Sequence, residues 1–180
     1  MNSIENKKIT TQDLAKNLAS FAIDRTDLKE ILSVLPQGHG LNKTAIEYEL
    51  GILKILSVGW GLSFFMAATD KNKGQISQSY WEIIREISQN ISTLTETTTG
   101  KQIDYFGILK ERLDTYLEKM QANPGQSADP TSLIGPMFAD ACGCSGNAIA
   151  ILTGTKMFTL TLGAVKEYLN AVTIEDIKFN

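Results

Sequence analysis

Histidine is nearly missing from this chain, His39 being its single instance. That removes zinc hydrolases built on several imidazoles and di-iron bundles that need two Glu-x-x-His pairs. Cysteine is scarce too. Cys142 and Cys144 stand two residues apart, too few and too close for a disulfide framework, which points to a reducing cytoplasm. There is no basic excess, the formal net charge being −3, and so no electrostatic footprint for nucleic acid or anionic lipid. Met1 to Asp13 lacks the apolar core of a signal peptide. Walker loops, Rossmann glycines and nucleophile elbows are also missing; Thr153-Gly-Thr-Lys156 lacks the upstream glycine a phosphate loop requires. Neither strand alternation nor a solenoid-length repeat is visible.

What the chain does have is apolar residues at helical period. Thr10 with Asp13 three residues later forms a capping box ahead of Leu14, Leu18 and Phe21. Asp24 is placed to cap a second helix carrying Leu28, Ile31, Leu32 and Leu35, which Pro36 and Gly38 stop. Asn42 or Thr44 opens a long helix expected to run to Thr69. Ile76, Tyr80, Ile83, Ile84, Ile87, Ile91 and Leu94 mark the next, followed by a Thr-rich loop to Gly100. A conventional amphipathic helix then carries Tyr105, Phe106, Leu109, Leu113, Tyr116, Leu117 and Met120. After a loop at 123–128, Asp129-Pro130 is a strong helix start, and that helix ends near Gly143 with a kink expected at Pro136. The last helix is expected from Thr155 to Ala171, with one more turn over Thr173–Ile177. The expectation is an all-α, single-domain bundle of six or seven helices around a central apolar helix at about 44–69. A flexible tail is expected at 1–9, the helical domain at 10–172 and a C-terminal turn or tail at 173–180.

The central helix raises a membrane question. Leu50 to Thr69 is long enough to cross a bilayer, with Lys54 as its single charge. Its strong apolar residues contribute roughly −3 to −5 kcal/mol toward insertion, and Lys54 opposes it by up to about 2.5 to 3.5. The glycines, serines and Thr69 add little, so the sum is near zero and a buried core helix is the expectation. Gly51, Ser57, Gly59, Gly61, Ser63, Ala67 and Ala68 make this helix smooth enough for a close neighbour. Either another helix packs there, or an apolar ligand sits in a groove lined by Trp60, Phe64, Met66, Tyr80 and Trp81.

The C-terminal third is the second anomaly. From Gln121 to Val165 the charges are Asp129, Asp140 and Lys156 alone. Two segments this apolar leave a small domain few surfaces to solvate. A homo-oligomer or partner interface is therefore expected, with Met137, Phe138, Met157 and Phe158 as its apolar residues. The alternative is that the Thr, Ser and Gly residues of this stretch are themselves the solvated face.

Other chemistry-bearing groups have plain readings. Asp70-Lys-Asn72-Lys-Gly74 resembles the start of a calcium loop, but its glycine is fifth rather than sixth and Trp81 takes the position of the bidentate Glu. Cys142-Gly-Cys144 could act jointly only if the helix breaks at Gly143, and a metal would need further ligands. Glu111, Asp114 and Glu118, like Glu82 and Glu86, lie opposite apolar stripes as solvated faces. His39 sits in a glycine-flanked loop, where it could serve an enzyme only with a nucleophile beside it. The leading expectation is a cytoplasmic, non-enzymatic helical protein acting through protein–protein contact or self-association, without metal or cofactor. A bundle binding a small apolar ligand and a conditionally membrane-associated hairpin are the rivals.

Overall fold

In the computed structural model, which describes residues 7–123 and 130–175, the first helix α1 (Thr11–Ile23) starts at the capping box. Thr10 Oγ1 accepts from the Asp13 amide at 3.0 Å and donates to Asp13 Oδ2 at 2.9 Å. Asp24 Oδ1 accepts from the Thr26 amide at 2.7 Å and turns the chain into α2 (Thr26–Ser33). The Thr26 hydroxyl and amide together hold the Asp24 carboxyl below its ordinary value. Asn42 Oδ1 accepts from the Ala45 amide at 3.1 Å and opens α3 (Lys43–Phe65).

Helix α3 is the axis of the fold. It contacts α1, α2, α4 (Lys73–Thr99), α5 (Tyr105–Ala122), α6 (Thr131–Ala141) and α7 (Ala148–Ala171). The chain is thus an all-α bundle around a central apolar helix, with seven helices among the described residues. That helix stops at Phe65 rather than Thr69. Met66 turns extended, and Lys73 Nζ, reaching back from α4, donates to the carbonyl oxygens of Ser63 and Met66 at 2.7 and 2.8 Å. A cation capping the last carbonyls favours ending the helix there.

Three further elements depart from the sequence pattern. The Thr-rich segment before Gly100 is helical, not a loop. Thr97, Thr98 and Thr99 donate to the carbonyls four residues back, so their hydroxyls follow the helix, and Gly100 ends it with a φ of 70°. Helix α7 begins at Ala148 rather than Thr155, because Asn147 Oδ1 accepts from the amides of Ile149 and Ala150. Residues 7–9 and 172–174 are not a loose tail and a helical turn. They pair as parallel strands β1 (Lys7–Ile9) and β2 (Val172–Ile174), Lys7 opposite Val172 and Ile9 opposite Ile174. Pro136 lies on the exposed side of α6. The expected Asp129 cap and most of the 123–128 loop lie outside the described residues.

The smoothness of α3 has direct partners. A Cβ at Gly59 would come within 2.6 Å of the Trp81 ring, and one at Gly61 within 2.8 Å of Val165. The α6–α7 hairpin closes the same way. A Cβ at Gly154 would meet the Phe138 ring at 2.5 Å, and one at Gly135 would meet the Ile151 carbonyl oxygen at 2.7 Å. These glycines let aromatic rings and backbone approach an axis where any larger residue would push them off. The core so formed buries Leu53, Leu56, Ile76, Phe138, Met157 and Phe158, each large side chain contributing about 1.5–3 kcal/mol.

Candidate functional site

The polar chemistry of the interior is built from the two buried charges of α3, Glu49 and Lys54. Lys54, with 1% of its surface exposed, donates from Nζ to the Asp24 carbonyl oxygen at 2.8 Å and to Asp27 Oδ2 at 3.0 Å. The ammonium also lies 4.4 Å from the Phe21 ring centroid. Five residues earlier, buried Glu49 accepts from Arg112 at both oxygens, Nε to Oε2 at 2.9 Å and Nη2 to Oε1 at 2.7 Å. That bidentate contact raises the Arg112 pKa above its already high ordinary value.

Below Arg112, α5 and α6 frame a cleft of about 190 Å³ lined by Tyr116, Lys119, Met137 and Asp140. Lys119 Nζ donates to Asp140 Oδ2 at 2.8 Å, which holds the Asp140 carboxyl below its ordinary value with help from Ser145. Burial pushes the Tyr116 hydroxyl well up, and neighbouring Glu49 adds to it. The helix does break at Gly143, with φ 70°, and brings the Cys142 and Cys144 thiols within hydrogen-bonding reach. Burial pushes the Cys142 thiol up to about 12 and raises Cys144 as well. Both stay protonated near neutrality, the opposite of an activated nucleophile. Each cation of this cluster is already neutralised by a carboxylate. The arrangement joins α3, α5 and α6; it presents neither an activated base nor an unpaired anion-binding group.

Elsewhere the candidate residues separate. His39 adopts a left-handed backbone, φ 57°, between Gly38 at 82° and Gly40 at 71°. Its carbonyl accepts from Asn147 Nδ2 at 2.9 Å while the ring is exposed. The loop is thereby tied to the start of α7, and the Asn147 amide serves both ends. Asp70 Oδ1 accepts from the Asn72 amide at 2.9 Å, a local turn linking α3 to α4. Among the described residues no three His, Cys, Asp or Glu side chains converge on a metal-sized site. Glu82, Glu86, Glu111, Asp114 and Glu118 are exposed.

The five residues expected to line a ligand groove lie around α3 without converging. Trp60 packs edge-on against Tyr116 and Phe158, with centroids 5.7 and 6.0 Å away. Tyr80 is fully buried and donates to the Ile55 carbonyl oxygen at 2.7 Å. Trp81 fills the space over Gly59 and stacks edge-on with Tyr80 at 5.1 Å. Met66 is buried at the helix end, and Phe64 is 51% exposed. Trp60, Tyr80 and Trp81 are thus each held in close helix packing.

An apolar cleft does open beside another glycine of the same helix. It measures about 340 Å³ and lies over Gly51, walled by Leu28, Tyr48, Ile52, Ile91, Tyr105 and Leu109, with the Arg25–Glu47 ion pair at its edge. The one sequence signal for it is Gly51 in the smooth helix; nothing in the spacing links that glycine to Tyr48 and Tyr105, whose rings stand 6.4 Å apart.

The interface expectation also shifts. Met137, Phe138, Met157 and Phe158 are all buried in the chain's own core, so the folded surface does not offer them. What α7 offers is its opposite side: Leu152, Lys156, Thr159, Leu160, Gly163 and Glu167 share one exposed face at spacings of four, three, one, three and four. Leu152 is 68% exposed and Leu160 52%. Helices α3 and α7 are both long and apolar enough to span a membrane, but 67% of the apolar window is buried in α3 and 39% in α7. Comparison with family models, curated protein sequences and solved structures returned no match.

Proposed function

We propose that this chain is a non-enzymatic helical protein that works through protein–protein contact, self-association included, made by the exposed face of α7. The observation that carries the reading is the contrast between the two apolar helices. The bundle buries most of the apolar stretch of α3, yet leaves a second helix of nearly equal length with Leu152 and Leu160 in water. Exposed leucines in line on one helix mark a surface that gains free energy when covered. The protonated thiols and paired charges of the interior support a structural rather than catalytic role. The free Cys142 and Cys144 suit a cytoplasmic setting.

Light scattering on the full chain over a range of concentrations tests this. The expected result is a mass that rises with concentration, and that falls to the monomer value in Leu152→Glu/Leu160→Glu with unchanged helical circular dichroism. A wild-type mass that stays monomeric at every concentration would remove self-association.

A second reading rests on the cleft over Gly51, whose volume and apolar walls suit a small apolar ligand. An environment-sensitive apolar dye should bind wild type and lose binding in Gly51→Leu, which fills the cleft. Equal dye binding by both proteins would sink the reading.

A further inference from the structure

Resting on the reading that the exposed face of α7 makes a protein contact, we infer that its partner is a second copy of this chain. The two α7 helices pack antiparallel about a two-fold axis between Thr161 and Leu162.

Two features of α7 select this occupant and register. The first is Gly163. Each buried helical glycine of the core has an intramolecular reason, since a Cβ at Gly59, Gly61, Gly135 or Gly154 would strike a neighbour. A Cβ at Gly163 would meet nothing within 4 Å. A glycine in a helix interior costs stability relative to alanine, and here nothing within the chain offsets that. The residue leaves a shallow seat on the exposed face, one turn from a protruding Leu160.

The second is charge. Lys156 and Glu167 lie on the same face, and among the described residues neither is in an ion pair. A two-fold axis between residues 161 and 162 brings each position opposite the one the same distance beyond the axis. Leu160 then faces the seat at Gly163 of the other copy, and Gly163 receives its Leu160. Lys156 faces Glu167, and the pair occurs twice, each about 8 Å from the axis at 1.5 Å rise per residue. Leu152 falls opposite Ala171.

Rival arrangements of the same two helices fail on the same residues. Setting Leu152 against Leu160 puts the axis at Lys156 and places two ammonium groups face to face. A parallel pair does likewise, with glutamates also opposed. A lipid surface would need no anion at Glu167, no matching cation eleven residues away and no seat for a leucine. The apolar face, the seat and the two opposite charges are satisfied together only by a copy running the other way.

Charge exchange tests the register. In sedimentation equilibrium on the full chain, Lys156→Glu and Glu167→Lys should each weaken the dimer roughly tenfold. The double variant Lys156→Glu/Glu167→Lys should restore it to near wild type. Gly163→Leu should also weaken it while leaving the monomer at least as stable as wild type. A wild-type dimer indifferent to both single changes, or a double variant as weak as the singles, would overturn this register and leave self-association standing. A wild-type monomer at all concentrations would overturn both. Co-sedimentation of wild type with phosphatidylcholine vesicles, without dimer, would overturn both in favour of a membrane surface.

Discussion

Lys54, in the middle of the central apolar helix α3, donates its ammonium to the backbone carbonyl of Asp24 at 2.8 Å. The charge is held at the corner between α1 and α2, with Asp27 as counter-ion and the Phe21 ring beneath it. Three helices thus meet on one nitrogen. Asp27 is 44% exposed and can be solvated when its partner is lost, which limits the damage. Lys54→Met, which keeps most of the unbranched stem, is expected to cost about 1–3 kcal/mol through the unsatisfied Asp24 carbonyl. Urea unfolding measures it. A Lys54→Met protein as stable as wild type would show that water replaces the ammonium at that corner.

Glu49 and Arg112 make the opposite case, because here the carboxylate is the buried partner. Arg112→Met leaves Glu49 charged within the core and should cost about 3–5 kcal/mol. Adding Glu49→Leu to that variant should recover much of the loss. A double-mutant cycle by urea unfolding separates the pair from the packing of its stems.

Alkaline pH should weaken the fold in a definite window. Folded Cys142 keeps its proton up to about 12, whereas the ordinary value is 9.0. Between those values the native state binds more protons than the unfolded state. Stability is therefore complete below about pH 9 and declines as the pH rises through the folded value. Tyr80 and Tyr116, both pushed up by burial, extend the same decline. Thermal midpoints from pH 7 to 11 should fall above 9, and less steeply in Cys142→Ala.

Two glycines seven and sixteen residues into α7 should respond oppositely to the same change. Gly154→Ala drives a methyl into the Phe138 ring and is expected to cost about 1–3 kcal/mol. Gly163→Ala meets open space and should stabilise the monomer by roughly 0.5–1 kcal/mol. Thermal unfolding of dilute protein reads both. Equal effects would mean that α6 does not close on α7 as described.

Much of the fold was legible because local chemistry states it. Thr10 and Asn42 cap where the pattern places them, and the stripe from Ile76 to Leu94 is buried at Ile76, Tyr80 and Ile84. The errors have a common cause. In an evenly apolar helix the hydrophobic period vanishes, so spacing cannot distinguish buried Met157 and Phe158 from exposed Leu160. Sequence places Trp60 on one long helix and Trp81 on the next without stating which neighbour each faces: Trp60 packs against Tyr116 of α5 and Phe158 of α7, and Trp81 against Gly59 of α3. Short parallel strands are likewise invisible locally, since β1 and β2 gain their partners across the 162 residues that separate them in sequence. The register of Lys7 with Val172 is a tertiary fact.

That register also sets how the molecule bears tension. Because β1 and β2 run parallel, the chain enters the ladder beside Val172 and leaves it beyond Ile9, where the Glu175 amide still donates to the Ile9 carbonyl at 2.9 Å. A pull on the two ends draws the strands along each other instead of opening them one rung at a time. The load falls on every rung together, and the helices between stay shielded until the ladder gives way.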